Sequence, residues 1–349
     1  MIAPKKNLLI KAEDTTDPKY GCIPSERPIE EYLDKGVVNI DKPAGPTSHE
    51  VSSYVKKILN INKAGHSGTL DPKVTGSLPI MLENATKCVG ALLTSEKEYV
   101  CLMKLHKGVE KNKIREVCQE FVGAIYQKPP IKSAIKRQIR VRKIYYLDIL
   151  EIEDTKVLFK VGCEAGTYIR KLVHDIGQAL GIGAHMQELR RTKAGPFTEE
   201  TIVTLHDLKD AYVYWQEEND ESFLREVIHP MEIGLSHLPS LTIKDSAVDA
   251  ICHGASLAVP GILSLESKIK KRDLVAVFTL KGEAVSLGIA LMDAEEILNS
   301  DTGMAVTTSR VLMEPKIYPK VWKLTFRKKR NGRRSSASYA SLSYASLSE

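Results

Sequence analysis

Hydrophobic and polar positions along the chain fall into blocks of two periods. GVVNI at 36–40 is a short apolar run that reads as a buried strand. DKPAGPT closes it, because two prolines and a glycine cannot continue a ladder and make a turn instead. Thr47 and Glu50 then stand at capping-box spacing, and Val51, Val55, Ile58 and Leu59 form one helical stripe. KEYVCLMKL at 97–105 reads as a strand, and Ile114, Val117, Cys118 and Phe121 mark an amphipathic helix. Residues 144–164 alternate as two strands with a turn near Glu153 and Asp154. Gly166 ends the second strand. Thr167 is placed to cap a helix that turns Ile169, Leu172, Val173, Ile176 and Leu180 to a core. ELRRTKAGPF at 188–197 reads as a helix end followed by a Gly-Pro turn.

The texture changes near 230–240, where HPMEIGLSHLPSLTIK reads as a connector. Beyond Ile243 come short strands at close spacing, LVAVFTL, AVSLGIALM and MAVTTSRVLM. Gly254, Gly261, Gly282 and Gly288 punctuate them. That is the pattern of a small β-rich domain, a barrel or partial barrel. A chain of 349 residues is long for one core, so two domains are expected. The expected division is an N-terminal extension over 1–34 that packs on the second domain, a first domain over 35–235, the second over 240–322, and a tail over 323–349. The tail is basic and then Ser-rich, with YASLS occurring twice, and has too little apolar content to pack, so disorder is expected there.

Composition narrows the class. The 43% hydrophobic content is ordinary for a globular protein. No apolar run approaches the ~20 residues that cross a bilayer. The N-terminus shows no cleavage-site pattern, so neither a signal peptide nor a membrane partner is expected. Six cysteines (Cys22, Cys88, Cys101, Cys118, Cys163 and Cys252) are scattered without a C-x-x-C pair. That speaks against a structural zinc and for buried thiols in a reducing compartment. The net charge of +6 matters less than its placement. Between Glu120 and Asp148 there is no acid, while Lys128, Lys132, Lys136, Arg137, Arg140, Arg142 and Lys143 alternate with isoleucines, valines and tyrosines. The plain reading is a solvated strand face. A one-signed stretch opening at a Pro-Pro pair fits a phosphate-gripping arm somewhat better.

GHSGTLDPKVTGSLPI at 65–80 sets one carboxylate, Asp71, between a glycine-rich turn and a proline. The plain reading is a helix N-cap with Pro72 at N1. Other chemistries lack their parts. The spacing fits neither nucleotide-binding glycine loop. The nearest acid downstream of Asp71 is Glu83, so no carboxylate cluster for a metal-dependent nuclease is evident. No nucleophile elbow is present. What remains is one aspartate, an arginine and two tyrosines. Arg170 stands beside a strand-to-helix junction and is suited to grip a carboxylate bidentately. Tyr99 and Tyr168 can stack on an extruded base. A lone carboxylate kept ionised by an arginine can act as nucleophile or base. The residues themselves reach a cofactor-free RNA-modifying enzyme.

The same stretch closely resembles the catalytic-aspartate motif of the TruB-class pseudouridine synthases. DKPAGPTSHEV, KEYV, GTYIRKL and HMQELRRTKAGPF resemble the class's other motifs in the same order. KDSAVDAICHGASLAVPGI resembles the opening of a PUA domain. The likeness spans roughly residues 20–325 and is nearest to the dyskerin-like catalytic subunit of guide-directed H/ACA particles of archaea and eukaryotes. It turns the reading of Asp71 from cap to catalyst. By resemblance, Asp71 either attacks the ribose anomeric carbon or removes a ribose proton to give a glycal, and the sequence does not choose. Tyr99 is implied to stack on the flipped uracil and to share in the final proton removal, and Arg170 to pair with Asp71. Tyr168 lines the pocket, Leu189 forms an apolar wall, and His66 lies beside the flipped nucleotide, although its plain reading is a surface histidine. Lys42 and Pro43 support the loops without reacting. The arm carrying Lys132, Lys136, Arg137, Arg140, Arg142 and Lys143 matches the class's RNA-contacting thumb. The PUA domain is implied to hold guide RNA near Gly254 and Ala255.

The resemblance implies an α+β fold. A mixed, mostly antiparallel sheet with flanking helices would put the Asp71 loop and the GTYIR helix on opposite sides of an RNA-facing cleft, with a small β-barrel PUA domain alongside. It implies no metal and no cofactor. Its implied partners are a guide RNA, ribosomal RNA as substrate, two small core proteins and a kink-turn-binding ribosomal-type protein. Guide-free action on the T-loop uridine of tRNA stays open. An archaeal-type chain belongs in the cytoplasm and a eukaryotic one in the nucleolus. Two departures stand out: the family often has Gly where Ser67 stands, which bears on how closely backbone approaches RNA, and the tail at 335–349 lies outside the pattern. One competing reading is a binding scaffold with a dead site, against which the intact Asp71, Tyr99 and Arg170 set argues. Another is an unguided tRNA-only synthase, against which the PUA domain and the N-terminal segment argue.

Overall fold

A computed structural model describes residues 7–128 and 138–320. In chain order its strands are β1 (Leu8–Ile10), β2 (Gly36–Lys42), β3 (Ala64–His66), β4 (Thr75–Leu82), β5 (Lys97–Leu105), β6 (Gly123–Gln127), β7 (Arg140–Glu153), β8 (Lys156–Cys163), β9 (Ala184–Ala194), β10 (Phe197–Thr198) and β11 (His229–Pro230). A second group follows: β12 (Ser240–Ile243), β13 (Leu257–Ala258), β14 (Ile262–Glu266), β15 (Leu274–Phe278), β16 (Ala284–Ala290) and β17 (Met304–Val311). The helices are α1 (Ile29–Asp34), α2 (Ser48–Ile58), α3 (Val89–Leu93), α4 (Lys111–Glu120), α5 (Ile169–Ala179), α6 (Leu205–Glu218), α7 (Ser222–Val227), α8 (Met231–Leu235), α9 (Asp245–Cys252) and α10 (Ala294–Asn299).

The architecture is α+β. One sheet of ten strands runs β11-β2-β4-β9-β5-β8-β7-β6, with β3 added to β4 and β10 to β9. Its pairings are antiparallel except at one seam, where β4 and β9 run parallel through Thr75–Arg190 and Gly76–Arg191. Two apolar layers hold it. Over β2 and β4, Val38, Ile40, Leu78 and Ile80 pack with Val51 and Val55 of α2 and Leu208 of α6. Over β5 and β8, Cys101, Met103 and Phe159 pack with Ile114 of α4 and Leu172, Val173 and Ile176 of α5. The capping box at α2 forms as the spacing predicts, with Thr47 accepting from the Glu50 N–H and Glu50 reaching back to the Thr47 N–H. The stretch 97–105 is strand β5 over its whole length.

Three local expectations fail, two to partners three residues away and one to a distant ladder. No helix starts at Asp71: the Val74 N–H donates to the Asp71 carbonyl at 2.9 Å, making one turn before β4. Thr167 does not cap α5, because its hydroxyl donates to the Glu164 carbonyl at 2.7 Å and the N-cap position falls to Tyr168. Residues 188–194 are strand, not a helix end. Glu, Leu and Arg favour helix, but β9 completes the open side of β5 from Lys97 to Leu105 and lines β4, and that ladder decides.

The second sheet has seven strands in the order β1-β14-β12-β15-β16-β17-β13. The N-terminal segment is sewn into it: β1 pairs antiparallel with β14, and Lys281 donates to the carbonyls of Asp17, Tyr20 and Gly21. The chain then crosses to the first sheet. Arg27 is 1% exposed and grips Glu232 bidentately at 2.7 and 3.0 Å, while the same carboxylate accepts the Ala284 N–H at 3.1 Å. Around this bond, Val37, Met81, Leu92 and Leu235 meet Ala276, Leu287 and Leu312 in one apolar layer between the sheets. The tail beyond residue 320 lies outside the described residues.

Removing Glu232 strands a buried guanidinium, which typically destabilises by about 3–5 kcal/mol. Glu232→Ala should therefore lower the urea midpoint clearly. An unchanged midpoint would mean that the apolar layer alone joins the sheets.

Candidate active site

Asp71 stands in the loop between β3 and β4, and that loop is held from beneath. Lys42, at the end of β2, is fully buried, and its Nζ donates to the carbonyls of Pro43 at 2.9 Å, Pro72 at 3.0 Å and Val74 at 2.9 Å. Pro43 itself is exposed. The Gly45 N–H donates to the Pro72 carbonyl at 2.9 Å. Ser48, the first residue of α2, fixes Leu70 twice: its Oγ accepts the Leu70 N–H at 2.8 Å and donates to the Leu70 carbonyl at 3.3 Å. The DKPAGPTS turn is thus the floor of the Asp71 loop. The carboxylate is open to solvent. Its Oδ2 lies 2.6 Å from Nη2 of Arg170, with the two side chains 56% and 62% exposed. The grip is through one nitrogen rather than the bidentate one expected from sequence.

Arg170 rides the first turn of α5, and Tyr168 precedes that turn, half-buried. Gln127, at the end of β6 and 2% exposed, clamps the Tyr168 backbone: its Nε2 donates to the carbonyl at 3.1 Å and its Oε1 accepts the N–H at 2.9 Å. Nothing in the sequence pattern singles out Gln127, since its partner lies 41 residues away.

Tyr99 of β5 and Leu189 of β9 are half-buried and pack on the apolar layer beneath α5. They share a sheet face, because Tyr99 lies opposite Arg191 and Cys101 opposite Leu189. Burial pushes the Tyr99 phenol up, Arg191 works against that, and the Asp71 charge adds to it, so Asp71 and Tyr99 sense each other. Arg191 is a second residue that the motif reading does not single out. Consecutive arginines in a strand point to opposite faces, so one of them had to face inward. Arg190 faces outward and chelates Asp41 at 2.9 and 3.1 Å with Glu199 at 2.5 Å. Arg191 is 1% exposed; its Nε donates to the Ser77 carbonyl at 2.7 Å and its Nη2 to the Gly68 carbonyl at 3.3 Å.

His66, in β3, is half-buried and meets His49 edge-on with ring centroids 4.7 Å apart. Burial, helped by His49 and Arg191, pushes its imidazole down, which favours the neutral ring. Ser67 is fully buried, so serine in place of glycine adds nothing to the open surface there. Lys97 stands two residues before Tyr99. Its Nζ donates to the carbonyls of Leu92 at 3.0 Å and Ser95 at 2.6 Å, and burial together with Arg191 pushes it down to about 7.

Of the basic arm, Lys132, Lys136 and Arg137 lie outside the described residues. Arg140, Arg142 and Lys143 open β7. Arg142 is committed to Glu164 at 3.3 Å with its side chain 19% exposed, so it is not the free phosphate ligand that the sequence suggests. Lys143 is exposed, with Nζ 5.8 Å from the Tyr145 ring centre. Gly254 and Ala255 form an exposed turn after α9. Gly254 has φ of +85° and open space where a Cβ would stand, and the Ala255 carbonyl accepts the Thr308 hydroxyl at 2.7 Å.

Residues 56–169 match the N-terminal domain of the TruB family pseudouridylate synthases, and residues 170–236 match the tRNA pseudouridylate synthase B C-terminal domain. Residues 239–312 match the PUA domain and residues 2–52 the DKCLD domain. A protein of Methanosarcina barkeri called a probable tRNA pseudouridine synthase B is 64% identical over 90% of this chain and 93% of its own length. The chain belongs to the TruB family of pseudouridine synthases. A Pyrococcus horikoshii member with the same description is 57% identical over 91% of this chain and 96% of its own length. Among solved structures, a Cbf5–Nop10–Gar1 complex matches with TM-score 0.88 and 56% identity, covering 91% of this chain and 97% of that one. An H/ACA ribonucleoprotein bound to a substrate RNA containing 2′-deoxyuridine matches with TM-score 0.86 and 54% identity, covering 91% and 98%.

The depressed Lys97 ammonium has a signature in stability. Its ordinary value is 10.5, so from about pH 7 to that value the unfolded chain holds the extra proton and stability rises with pH. Wild type should therefore gain on Lys97→Met above pH 7, by up to about 1.4 kcal/mol per unit, in urea midpoints at about pH 6, 8 and 9.5. A gap that stays constant with pH would mean that the carbonyls around Nζ keep it charged throughout.

Proposed function

We propose that this chain is the catalytic subunit of a guide-directed H/ACA-type particle that isomerises uridines of ribosomal RNA to pseudouridine. One observation carries the reading: a solvent-open carboxylate, Asp71, paired with Arg170 beside a sheet face that holds Tyr99 and Leu189. An exposed pair of this kind adds little to stability, so its use is to hold the carboxylate aimed. When RNA covers the site the surroundings become less polar and the pair strengthens. Asp71 then attacks the anomeric carbon or removes a ribose proton to give the glycal, and the N1–C1′ bond breaks. The uracil turns and rejoins through C5. Tyr99 stacks on it, Leu189 walls it, Tyr168 lines the pocket and His66, held neutral, offers hydrogen bonds without charge. Lys42 keeps the Asp71 loop in place.

Arg140 and Lys143, with Lys132, Lys136 and Arg137, grip phosphates, while Arg142 braces the root of that arm against Glu164. The open turn at Gly254 and Ala255 suits contact with guide RNA. The neighbours solved with Nop10, Gar1 and substrate RNA support two small core proteins and a target RNA as partners here, to which we add a guide RNA and a kink-turn-binding protein. The descriptions of the curated relatives favour tRNA as a second substrate, where we place the reaction at the T-loop uridine. We assign the particle to the cytoplasm of an archaeal-type cell, on the likeness to archaeal relatives.

The test is tritium release from RNA labelled at uracil C5, with protein alone on tRNA and with guide and partners on a ribosomal fragment. Asp71→Asn should cut release by at least about a thousandfold while RNA binding persists. Binding should weaken steeply with salt. No release by wild type with guide and partners present would overturn the reading.

A further inference from the structure

At the far end of the β5–β9 ladder two histidines face each other. Leu105 pairs with Ala184 and Lys104 with His185, which sets His106 beyond the last pair and diagonal to His185 on one face of the sheet. The His106 N–H donates to the Gly183 carbonyl at 3.1 Å, so the backbone pairing runs one step past the strands. Both side chains are exposed, with Nε2 of His106 3.2 Å from Nδ1 of His185 and ring centres 5.4 Å apart. Gly183 leaves room for the His106 ring: its φ is +74°, and a Cβ there would lie 2.8 Å from Nδ1 of His106.

A hydrogen bond between two such rings in open solvent contributes little to the fold. The same separation suits a shared metal ion. Two nitrogens that bind one zinc at about 2.0–2.1 Å and at the tetrahedral angle stand about 3.3 Å apart. A neutral imidazole can ligate through either nitrogen, so Nε2 of one ring and Nδ1 of the other are both competent. Among the described residues no further His, Cys, Asp or Glu completes a group of three with them, so water fills the remaining positions. The nearest partners along the ladder are cationic: Lys104 lies opposite His185, and Lys156 opposite Lys104. A nitrogen pair without a carboxylate does not suit magnesium or calcium, which take oxygen ligands. It suits zinc, nickel or copper.

We propose that His106 and His185 form a binding site for a divalent transition-metal ion of the zinc class, which clips the end of β5 to the start of β9. The place gives the clip its effect. β9 begins directly after the turn that returns the chain from α5, and that turn is tight: the Gly183 N–H donates to the Gly177 carbonyl at 2.9 Å, and a Cβ on Gly177 would lie 2.2 Å from the Ala184 nitrogen. α5 carries Arg170 in its first turn, and β9 carries Leu189 and Arg191. An ion shared by the two histidines ties the head of β9 to β5 where the ladder between them runs out. The site does not rest on the isomerase reading.

Calorimetric titration of the untagged full chain with zinc chloride tests the site, together with a cobalt(II) titration read by visible absorption. Wild type should take up a single equivalent. His106→Ala and His185→Ala should each weaken uptake by more than the about 10–100-fold that follows loss of a ligand's outer partner. His206→Ala, on α6, should leave the affinity as it is. Zinc should also raise the urea midpoint of wild type more than that of either pair variant, since an ion held by the folded chain stabilises it by mass action. Thiols of the unfolded chain bind zinc in every variant, so the difference between wild type and variant is what is read. Uptake that survives both substitutions would place the metal elsewhere and overturn the proposal. Absence of uptake at millimolar zinc would overturn it too and leave the pair as a hydrogen bond. Should an alanine variant not fold, His106→Gln or His185→Gln keeps a polar side chain there and decides on the same titration.

Discussion

A positive charge driven into the interior without a carboxylate to meet it is the constraint on which this site depends. Arg191 is anchored by backbone from two places, Ser77 in β4 and Gly68 in the loop that leads to Asp71, and by Tyr99 across the ladder. Each anchor lies on a different segment, so satisfying one guanidinium fixes three pieces of the site against one another. The parallel seam between β4 and β9 falls at the same point, Gly76 opposite Arg191. The seam could not close on a residue with a Cβ there, since that atom would sit inside the Arg191 backbone. That one ion ties the aspartate loop to the tyrosine.

Arg191 is not alone. Lys42 and Lys97 are also buried, burial pushes both downward, and Arg191 pushes both further. The Asp71 charge is what pulls Lys42 back. Two enclosed cations, Lys42 and Arg191, and the depressed Lys97 amine are thus all tied to carbonyl oxygens rather than to acids. On the proposed function, such an interior would attract a phosphate chain and support negative charge that develops on the base during isomerisation. It needs no reorganisation when substrate arrives, because its dipoles are already locked into the sheet and the loop.

Local signals in the sequence were reliable where the deciding partners were close by. The capping box at Thr47 and Glu50 closes within one turn, and KEYVCLMKL alternates over nine residues that are all strand. The aspartate and its arginine were legible because whole motifs carried them. What stayed hidden was set by partners far along the chain. Gln127 matters through Tyr168, Lys42 through the carbonyls of Pro72 and Val74, and Arg191 through a one-residue register shift that no periodicity displays. Helix-favouring residues in ELRRTKAG yielded to a ladder with β5, and Arg142, read as free, had Glu164 waiting on the other side of a turn. Composition recorded the charges and left open which of them would be spent inside the protein.

The same principle joins the two sheets. Glu232 receives Arg27 from the N-terminal segment and the Ala284 N–H from β16, and β11, immediately before it, pairs with β2. β2 in turn ends in Lys42, which holds the Asp71 loop. A continuous run of strand, ion pair and buried lysine therefore leads from the PUA sheet to the Asp71 carboxylate, with an apolar layer packed along it. An enzyme that relied on a mobile linker would have to search for its target uridine each time RNA docked on the distal domain. Here the second sheet and the Asp71 loop are joined by hydrogen bonds, an ion pair and an apolar layer, so on the proposed function the place where RNA is held on the PUA sheet would set which nucleotide can reach Asp71.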